Sequence, residues 1–307
     1  MHLEIRQANI GYDKTLISNA HADLKLGDVC LLIGNNGVGK TTLIKSILHQ
    51  ISVLSGEILI HQKNIKDLSV KEIAEHIAVV FSKSNVPQHY TVEDLISLGK
   101  YIYYPFYFEL KKEDREEVSD IIDELDLRQY KYTLLKNLSD GNLQKAFIGR
   151  AITQNSPVII LDEPTTHLDE KNKLIILKTL RRLAKEQNKI ILFSSHDWRL
   201  AKEFADKIWY VKDNQLFTGL VEDVLLQHDE LTNVSLFQVN DHFVPPSIQA
   251  PQVHKEMLYS LLQKNFEKDL SGLHFEYKDG FWDILTNTTK QQCESFEEIV
   301  DSVKNIH

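Results

Sequence analysis

The sequence predicts an α/β protein: a parallel-strand core, an antiparallel β subdomain ahead of it, an α-helical subdomain inserted in it, and a small α+β appendage at the C-terminal end. Three observations carry that prediction. First, the apolar run Val29-Cys30-Leu31-Leu32-Ile33 leads into a glycine-rich stretch, Gly34 to Thr42, and then into the helical pattern Leu43-Ile44-Lys45-Ser46-Ile47-Leu48. Second, the apolar runs Val158 to Leu161 and Ile190 to Phe193 flank a helical stretch, Glu170 to Gln187, and both end abruptly in polar residues, as strands buried on two faces do. Third, the texture from Ser82 to Tyr132 is helical, and Pro245-Pro246 and Pro251 mark a linker ahead of the tail.

In chain order, the alternation that begins at Leu3-Glu4-Ile5 and runs to Gly11-Tyr12, with a turn at Gly27-Asp28, predicts the antiparallel start. Gly56 to Ile60 and Ile77 to Phe81 read as strands, with a short helix from Ser69 to His76 between them. Val92 to Tyr101 is amphipathic, and Lys112 to Leu127 carries Val118, Ile121, Ile122 and Leu125 at helical spacing. Between them lies an aromatic loop with Pro105 and six aromatics, Tyr101, Tyr103, Tyr104, Phe106, Tyr107 and Phe108. Such a cluster is either packing between helices or a patch that a partner protein covers. Lys207 to Leu216 reads as a hairpin turning at Asp213-Asn214. In the tail, the prolines mark a linker, Met257 to Phe266 a helix, His274 to Thr286 a hairpin around Asp279-Gly280, and Ser295 to Glu298 a capping box opening a last helix.

Composition bounds the function. At 307 residues the chain has room for one large domain with an appendage, or for two domains, and 42% hydrophobic with 26% charged residues is ordinary for a globular protein. A net charge of -9 leaves no basic excess to neutralise phosphates, which argues against nucleic acid as a partner. No apolar run approaches the ~20 residues of a spanning helix, and the start MHLEIRQ lacks a signal-peptide core, so the expectation is a chain that neither spans a membrane nor is exported. Cys30 and Cys293 cannot form a disulfide scaffold; Cys30, inside an apolar strand, is read as packing, and reducing cytosol fits both.

The chemistry gathers at Gly34 to Thr42, GNNGVGKTT, which fits the full G-x-x-x-x-G-K-[ST] pattern in its strand-turn-helix context. Gly34, Gly37 and Gly39 reach backbone angles closed to other residues, so the amides of Asn35, Asn36, Gly37, Val38, Gly39, Lys40, Thr41 and Thr42 can wrap phosphate oxygens at the positive end of a helix. Lys40 then supplies a charge for the β- and γ-phosphates, and Thr41 a hydroxyl for Mg²⁺. Ligands of parallel sheets lie at the carboxyl ends of the strands, which puts Asp162, Glu163 and His196 on the same rim. Asp162 is the expected second Mg²⁺ anchor, Glu163 an acceptor for the attacking water, and His196 a contact for the γ-phosphate. Ser139 and Gly141, just ahead of a helix, offer a second anion site. Tyr12, shortly ahead of the phosphate loop, is either a ring that stacks on adenine or a surface side chain beside a glycine turn.

Together these stretches resemble the ATP-binding cassette (ABC) ATPase family. The phosphate loop, Leu138-Ser139-Asp140-Gly141-Asn142, the strand Val158 to Glu163, Pro164 to Asp169 and His196 occur in that family's order, over residues 1–228. The resemblance implies a P-loop NTPase core whose helical subdomain spans about 83–155, with an appendage at 229–307. It implies an ATPase that uses ATP and Mg²⁺ and works as a head-to-tail pair of cassettes, a homodimer or a paired homologue. Each ATP would lie between the phosphate loop of one subunit and Ser139 and Gly141 of the other, with Tyr12 on adenine and Asp169 at the seam. The run Thr91 to Tyr101 is similar to that of ATPases serving importers of iron chelates, haem or cobalamin. That likeness implies transmembrane permease subunits as partners, a substrate-binding protein indirectly, and a place on the cytoplasmic face of the membrane. A soluble cassette in an assembly or repair pathway, or a weakly hydrolysing regulator, are the rival readings.

Two positions depart from the family pattern. Ser82 stands where members carry a Mg²⁺-ligating Gln; its shorter hydroxyl would reach the metal only through water or a moved loop, and Gln88 is a poor substitute. Asp140 stands where the usual LSGGQ motif has glycine, and Asn142 where it has Gln. A carboxylate ~4 Å from a γ-phosphate would cost roughly 4 kcal/mol per charge pair at an effective dielectric near ~20, so the expectation is that Asp140 points away from the nucleotide. The appendage is expected to serve dimerisation or regulation.

Overall fold

The structure, a computed structural model, describes residues 2–82, 89–104, 109–166, 168–196, 198–228, 231, 242–278, 280–286 and 289–305. The chain forms two compact units, Met1–Gln227 and His228–His307.

The first unit is built on a six-stranded sheet. It comprises β3 (Val29–Gly34), β6 (Ile77–Val80), β7 (Val158–Leu161), β8 (Ile190–Ser194), β9 (Lys207–Lys212) and β10 (Gln215–Leu220), in the order β10-β9-β3-β8-β7-β6. All neighbours are parallel except the β9–β10 hairpin, which turns at Asp213 and Asn214 with φ of 47° and 60°. Residues Val29 to Ile33 and every residue of β7 and β8 are buried, the consequence of covering a parallel sheet on both faces. Helix α6 (Glu170–Gln187) crosses from β7 to β8 with Ile176, Leu177, Leu180, Leu183 and Ala184 buried. Asp169 caps its start by accepting the Asn172 N–H at 2.7 Å, and Asn188 ends it in the left-handed conformation.

A second, four-stranded antiparallel sheet holds β1 (His2–Gly11), β2 (Thr15–Lys25), β4 (Ser55–Ile60) and β5 (Lys63–Asn64) in the order β2-β1-β4-β5. Its strands change phase partway. In β1 the buried set is Leu3 and Ile5, then Ala8 and Ile10, and in β2 it is Ile17, then Ala20, Ala22 and Leu24. A one-residue slip would turn every later side chain outward. Gln7 and Asn19, with φ of 46° and 47°, absorb the extra residue as register shifts, and the apolar face continues inward. That face shares one core with Leu32, Ile160 and Leu192 of the larger sheet and with Leu43, Ile44 and Ile47 of α1 (Lys40–Ile47).

The helical subdomain lies between β6 and β7. Ahead of β6, Ser69 and Glu72 form a capping box on α2 (Val70–His76), and within the subdomain Thr91 and Asp94 form another on α3 (Val92–Ser97). The amphipathic run expected from Val92 to Tyr101 tightens after Ser97 into a 3₁₀ segment, Leu98–Tyr103. Gly99 explains the tightening: a Cβ there would lie 2.4 Å from the Arg150 carbonyl oxygen and 2.8 Å from the Gln154 N, so the segment presses directly on α5 (Asp140–Thr153). Helix α4 (Lys112–Glu124) stops short of Leu127 because Asp126 adopts φ 56°. Lys100 is buried yet paired, 3.3 Å from Asp114 and 2.5 Å from Glu117. Tyr101 and Tyr103 are exposed, and the Tyr104 hydroxyl donates to Asp114, so the Tyr104 ring end is tied to α4. Pro105, Phe106, Tyr107 and Phe108 lie outside the described residues. The unit closes with α7 (Trp198–Ala201) and α8 (Val221–Gln227).

The second unit is a four-stranded sheet, β11 (Ser247–Gln249), β12 (His274–Lys278), β13 (Phe281–Leu285) and β14 (Lys290–Cys293), joined by α9 (Gln252–Asn265) and α10 (Phe296–Asn305). Its core is Leu258, Leu262, Phe275, Trp282, Ile284, Ile299 and Val303. The stretch read as a linker is structured: β11 pairs in parallel with β12, and Pro251 is the N-cap of α9, which starts well ahead of Met257. The hairpin of β12 and β13 is as patterned, with Gly280 at φ 90°; Asp279 lies outside the described residues. Half of the expected capping box forms. Ser295 Oγ accepts the Glu298 N–H at 3.2 Å, but the Glu298 carboxylate accepts the N–H of Glu294. Among the described residues no helix is long and apolar enough to cross a membrane.

Because backbone atoms crowd Gly99, Gly99→Ala is expected to cost about 1–3 kcal/mol; calorimetric melting should show a lower midpoint, and an unchanged midpoint would contradict this packing.

Candidate functional site

The site starts where β3 ends. Gly34 has φ 149°, and a Cβ on it would sit 2.6 Å from the Val211 carbonyl oxygen, so the chain can leave the strand here only without a side chain. Asn35, Asn36 and Gly37 are exposed, Val38 packs on the core, and Gly39 (φ 116°) is the N-cap from which α1 begins. A Cβ on Gly37 would meet nothing within 4 Å, so this position of the turn faces open space. Lys40 is buried and curls over this turn, its Nζ donating to the carbonyls of Gly34 (2.7 Å) and Asn35 (3.0 Å). Burial lowers the Lys40 pKa, against the opposing pull of Glu163 and Asp162, whose carboxylates face the same space. Thr42 is buried behind the loop and Thr41 is exposed on its front.

The opposite wall comes from the ends of β7 and β8. Thr41 Oγ1 donates to Asp162 Oδ2 at 3.1 Å, and the Asp162 N–H donates to the Val80 carbonyl at 2.8 Å, which continues the ladder between β7 and β6. Ser194 Oγ donates to Asp162 Oδ1 at 2.8 Å and accepts the N–H of Glu163, also at 2.8 Å. Glu163 takes φ 56°, a conformation few non-glycine residues adopt, and this turn swings its carboxylate toward β8. There Glu163 Oε1 lies 2.5 Å from His196 Nε2, and Oε2 accepts the Thr166 hydroxyl at 3.4 Å.

Lys40, Thr41, Asp162, Glu163 and His196 are therefore brought together, although 156 positions separate Lys40 from His196 (196 − 40). The other candidates stand apart from this bonded set. Tyr12 is 55% exposed in the turn between β1 and β2. Ser82 is exposed just beyond β6, and Gln88 lies outside the described residues. Ser139 is the exposed N-cap of α5, accepting the Asn142 N–H at 3.4 Å, with Asp140 exposed beside it. Gly141 backs onto Leu168 and Asn172, since a Cβ there would lie 3.3 Å from Leu168 Cδ2. Sequence reasoning assigned no part to Ser194. Its signal was present: a serine closing a strand whose every other residue is apolar.

Fold and site define a P-loop ATPase. Residues 17–166 match the family described as ABC transporter. The chain is 33% identical over 228 residues to an uncharacterized ABC transporter ATP-binding protein of Methanocaldococcus jannaschii, covering 73% of this chain and 78% of that one. It is 31% identical over 232 residues to the iron(3+)-hydroxamate import ATP-binding protein of Bacillus subtilis, covering 73% and 86%. A solved inward-facing ABC transporter assigned to the metal-chelate type aligns with a TM-score of 0.64 at 26% identity, covering 73% of this chain and 84% of that one. The chain belongs to the ATP-binding cassette family and is an ATPase of that family.

Proposed function

We propose that this chain is the ATP-hydrolysing subunit of a membrane importer for iron–siderophore chelates. The observation that carries hydrolysis is the meeting of Glu163, His196, Asp162 and Thr41 beside the phosphate loop. Import is supported by the likeness to proteins named for iron(3+)-hydroxamate and petrobactin import and achromobactin transport. Those names favour siderophores over haem or cobalamin as the transported class.

In this reading the loop amides and Lys40 grip the triphosphate. The Thr41 hydroxyl and the Asp162 carboxylate are hard oxygen donors converging at 3.1 Å, a set that suits Mg²⁺ and would hold it. When bound, Mg²⁺ neutralises phosphate charge. Glu163 takes a hydrogen bond from the attacking water and draws its proton toward the carboxylate, while His196, whose Nε2 lies against Glu163 Oε1 before nucleotide binds, turns to contact the γ-phosphate. The cassette is residues 1–228, with the helical subdomain at about 83–155; it pairs with a second copy, whose Ser139 and Gly141 cover the nucleotide. Tyr12, exposed in the turn between β1 and β2, stacks on adenine. The pair works at the cytoplasmic face against transmembrane permease subunits, with a substrate-binding protein acting from the other side. Residues 229–307 serve dimerisation or regulation. Asp140, at the exposed first position of α5, turns its carboxylate to solvent, so Ser139 and Gly141 still meet the phosphates.

Removing the carboxylate should separate binding from chemistry. Glu163→Gln is expected to lower turnover by about 10²–10⁴-fold with ATP affinity nearly unchanged, measured by phosphate release and by equilibrium binding of a fluorescent nucleotide; a variant that still turned over would remove Glu163 from its role. Asp140→Gly is expected to change the ATPase rate of the assembled complex by less than about tenfold, one pair's worth of weak screened repulsion, and a larger rise would place Asp140 against the nucleotide. Affinity purification from membranes should recover a polytopic membrane protein in detergent; recovery as a soluble cassette alone would favour the assembly or repair reading.

A further inference from the structure

We infer that Ser194 is a positioning residue of the ATPase reaction: one buried hydroxyl that sets both the metal-facing carboxylate of Asp162 and the backbone that aims Glu163. The inference rests on the proposed roles of Asp162 and Glu163 and goes beyond them to what fixes their geometry.

Ser194 is fully buried at the end of β8, between β3 and β7, with Leu32 as its register partner. A serine hydroxyl owns one proton and two lone pairs. Its proton goes to Asp162 Oδ1 and a lone pair to the Glu163 N–H, each at 2.8 Å. The hydroxyl therefore completes a chain of bonds across three elements. It runs from the Glu163 peptide through Ser194 to one oxygen of Asp162, and the other oxygen takes the Thr41 hydroxyl of the phosphate-loop helix. Asp162 is thereby fixed about its terminal torsion, which is otherwise broad and soft.

The second bond acts on a backbone that needs it. Glu163 sits at φ 56°, which an L-residue holds only when its surroundings determine it. Two buried or half-buried groups depend on the hydroxyl, since Asp162 is 4% exposed. Without Ser194 Oγ the Glu163 N–H loses its acceptor, the peptide is free to turn, and Oε1 leaves the line that joins it to His196 Nε2. Asp162 in turn loses the donor that keeps Oδ2 facing Thr41.

Neighbouring Ser195 is the natural control. It is also buried, at 4% exposure, but its hydroxyl has no hydrogen-bond partner among the described residues. Removing it tests whether any lost hydroxyl at this strand end has the same effect.

The test is made on the full chain. Ser194→Ala is expected to lower kcat by about 10–100-fold, the range for a group that orients a metal ligand, with the KM for ATP within about twofold. Its Mn²⁺·ADP complex, followed by electron paramagnetic resonance without turnover, should weaken by a similar factor, while binding of ADP without metal stays unchanged. Ser195→Ala should leave all three readouts at the wild-type level. In the Glu163→Gln background Ser194→Ala should reduce turnover by a smaller factor than in the wild type, because only its effect through Asp162 remains. If Ser194→Ala does not accumulate folded, Ser194→Cys, which keeps a side-chain atom there with weaker hydrogen bonds, is read by the same criteria. Wild-type kcat and Mn²⁺ affinity in Ser194→Ala, or equal losses in Ser195→Ala, overturn the inference while leaving Glu163 in place. Turnover retained in Glu163→Gln would instead overturn the catalytic reading itself.

Discussion

The Asp162 carboxylate is the point on which the first unit turns, because each of its oxygens is claimed by a different element. Oδ2 takes the hydroxyl of Thr41 from α1, Oδ1 that of Ser194 from β8, and its own N–H bonds β6. The charge of a residue as buried as Asp162, 4% exposed, would be costly without partners. Placed at the end of a buried strand and bonded on both sides, it registers the phosphate loop against the two strands that carry Glu163 and His196.

That registration depends on a rigid floor. β3, β7 and β8 are buried side by side, and their residues pair in step: Leu31 with Phe193, and Phe193 with Leu161. The strands end at a common level, and the polar residues after them share one rim. The antiparallel sheet braces the other side of α1, and its apolar face stays inward past Gln7 and Asn19 only because both take up an extra residue. Farther out, Arg150 of α5 donates to the Val79 carbonyl at 3.1 Å and Gln154 to those of Ala74 and Ile77 at 2.7 and 3.1 Å, tying the helical subdomain to the strand before Ser82.

Much of this was legible in the residues. Val29 to Ile33 followed by GNNGVGKTT left little choice but strand, phosphate loop and helix, since glycine at positive φ and lysine at the helix start are local requirements. The helix Glu170 to Gln187 was bounded by its own signals, Asp169 at one end and Asn188 at the other. Where reading by pattern fell short, a tertiary contact had decided. Gly99 looked like one more residue of an amphipathic helix until α5 pressed on it. The stretch with Pro245, Pro246 and Pro251 looked like a linker because prolines cannot show that Ser247–Gln249 will find β12 as a partner. In the capping box of α10, the Glu298 carboxylate bonded Glu294 instead of Ser295.

By itself, then, the sequence determined the parts whose causes lie within a few residues: the phosphate loop, the strand ends that carry Asp162, Glu163 and His196, and the caps of the long helix. The tertiary structure alone decided which of those parts touch. The 2.5 Å approach of His196 to Glu163, the left-handed turn at Glu163 and the two hydrogen bonds of Ser194 each join residues more than thirty positions apart or answer to such a join. The physical reason is that hydrogen-bond geometry depends on distances of tenths of an ångström between strands, and nothing in the spacing of letters along one chain sets how two strands align side by side.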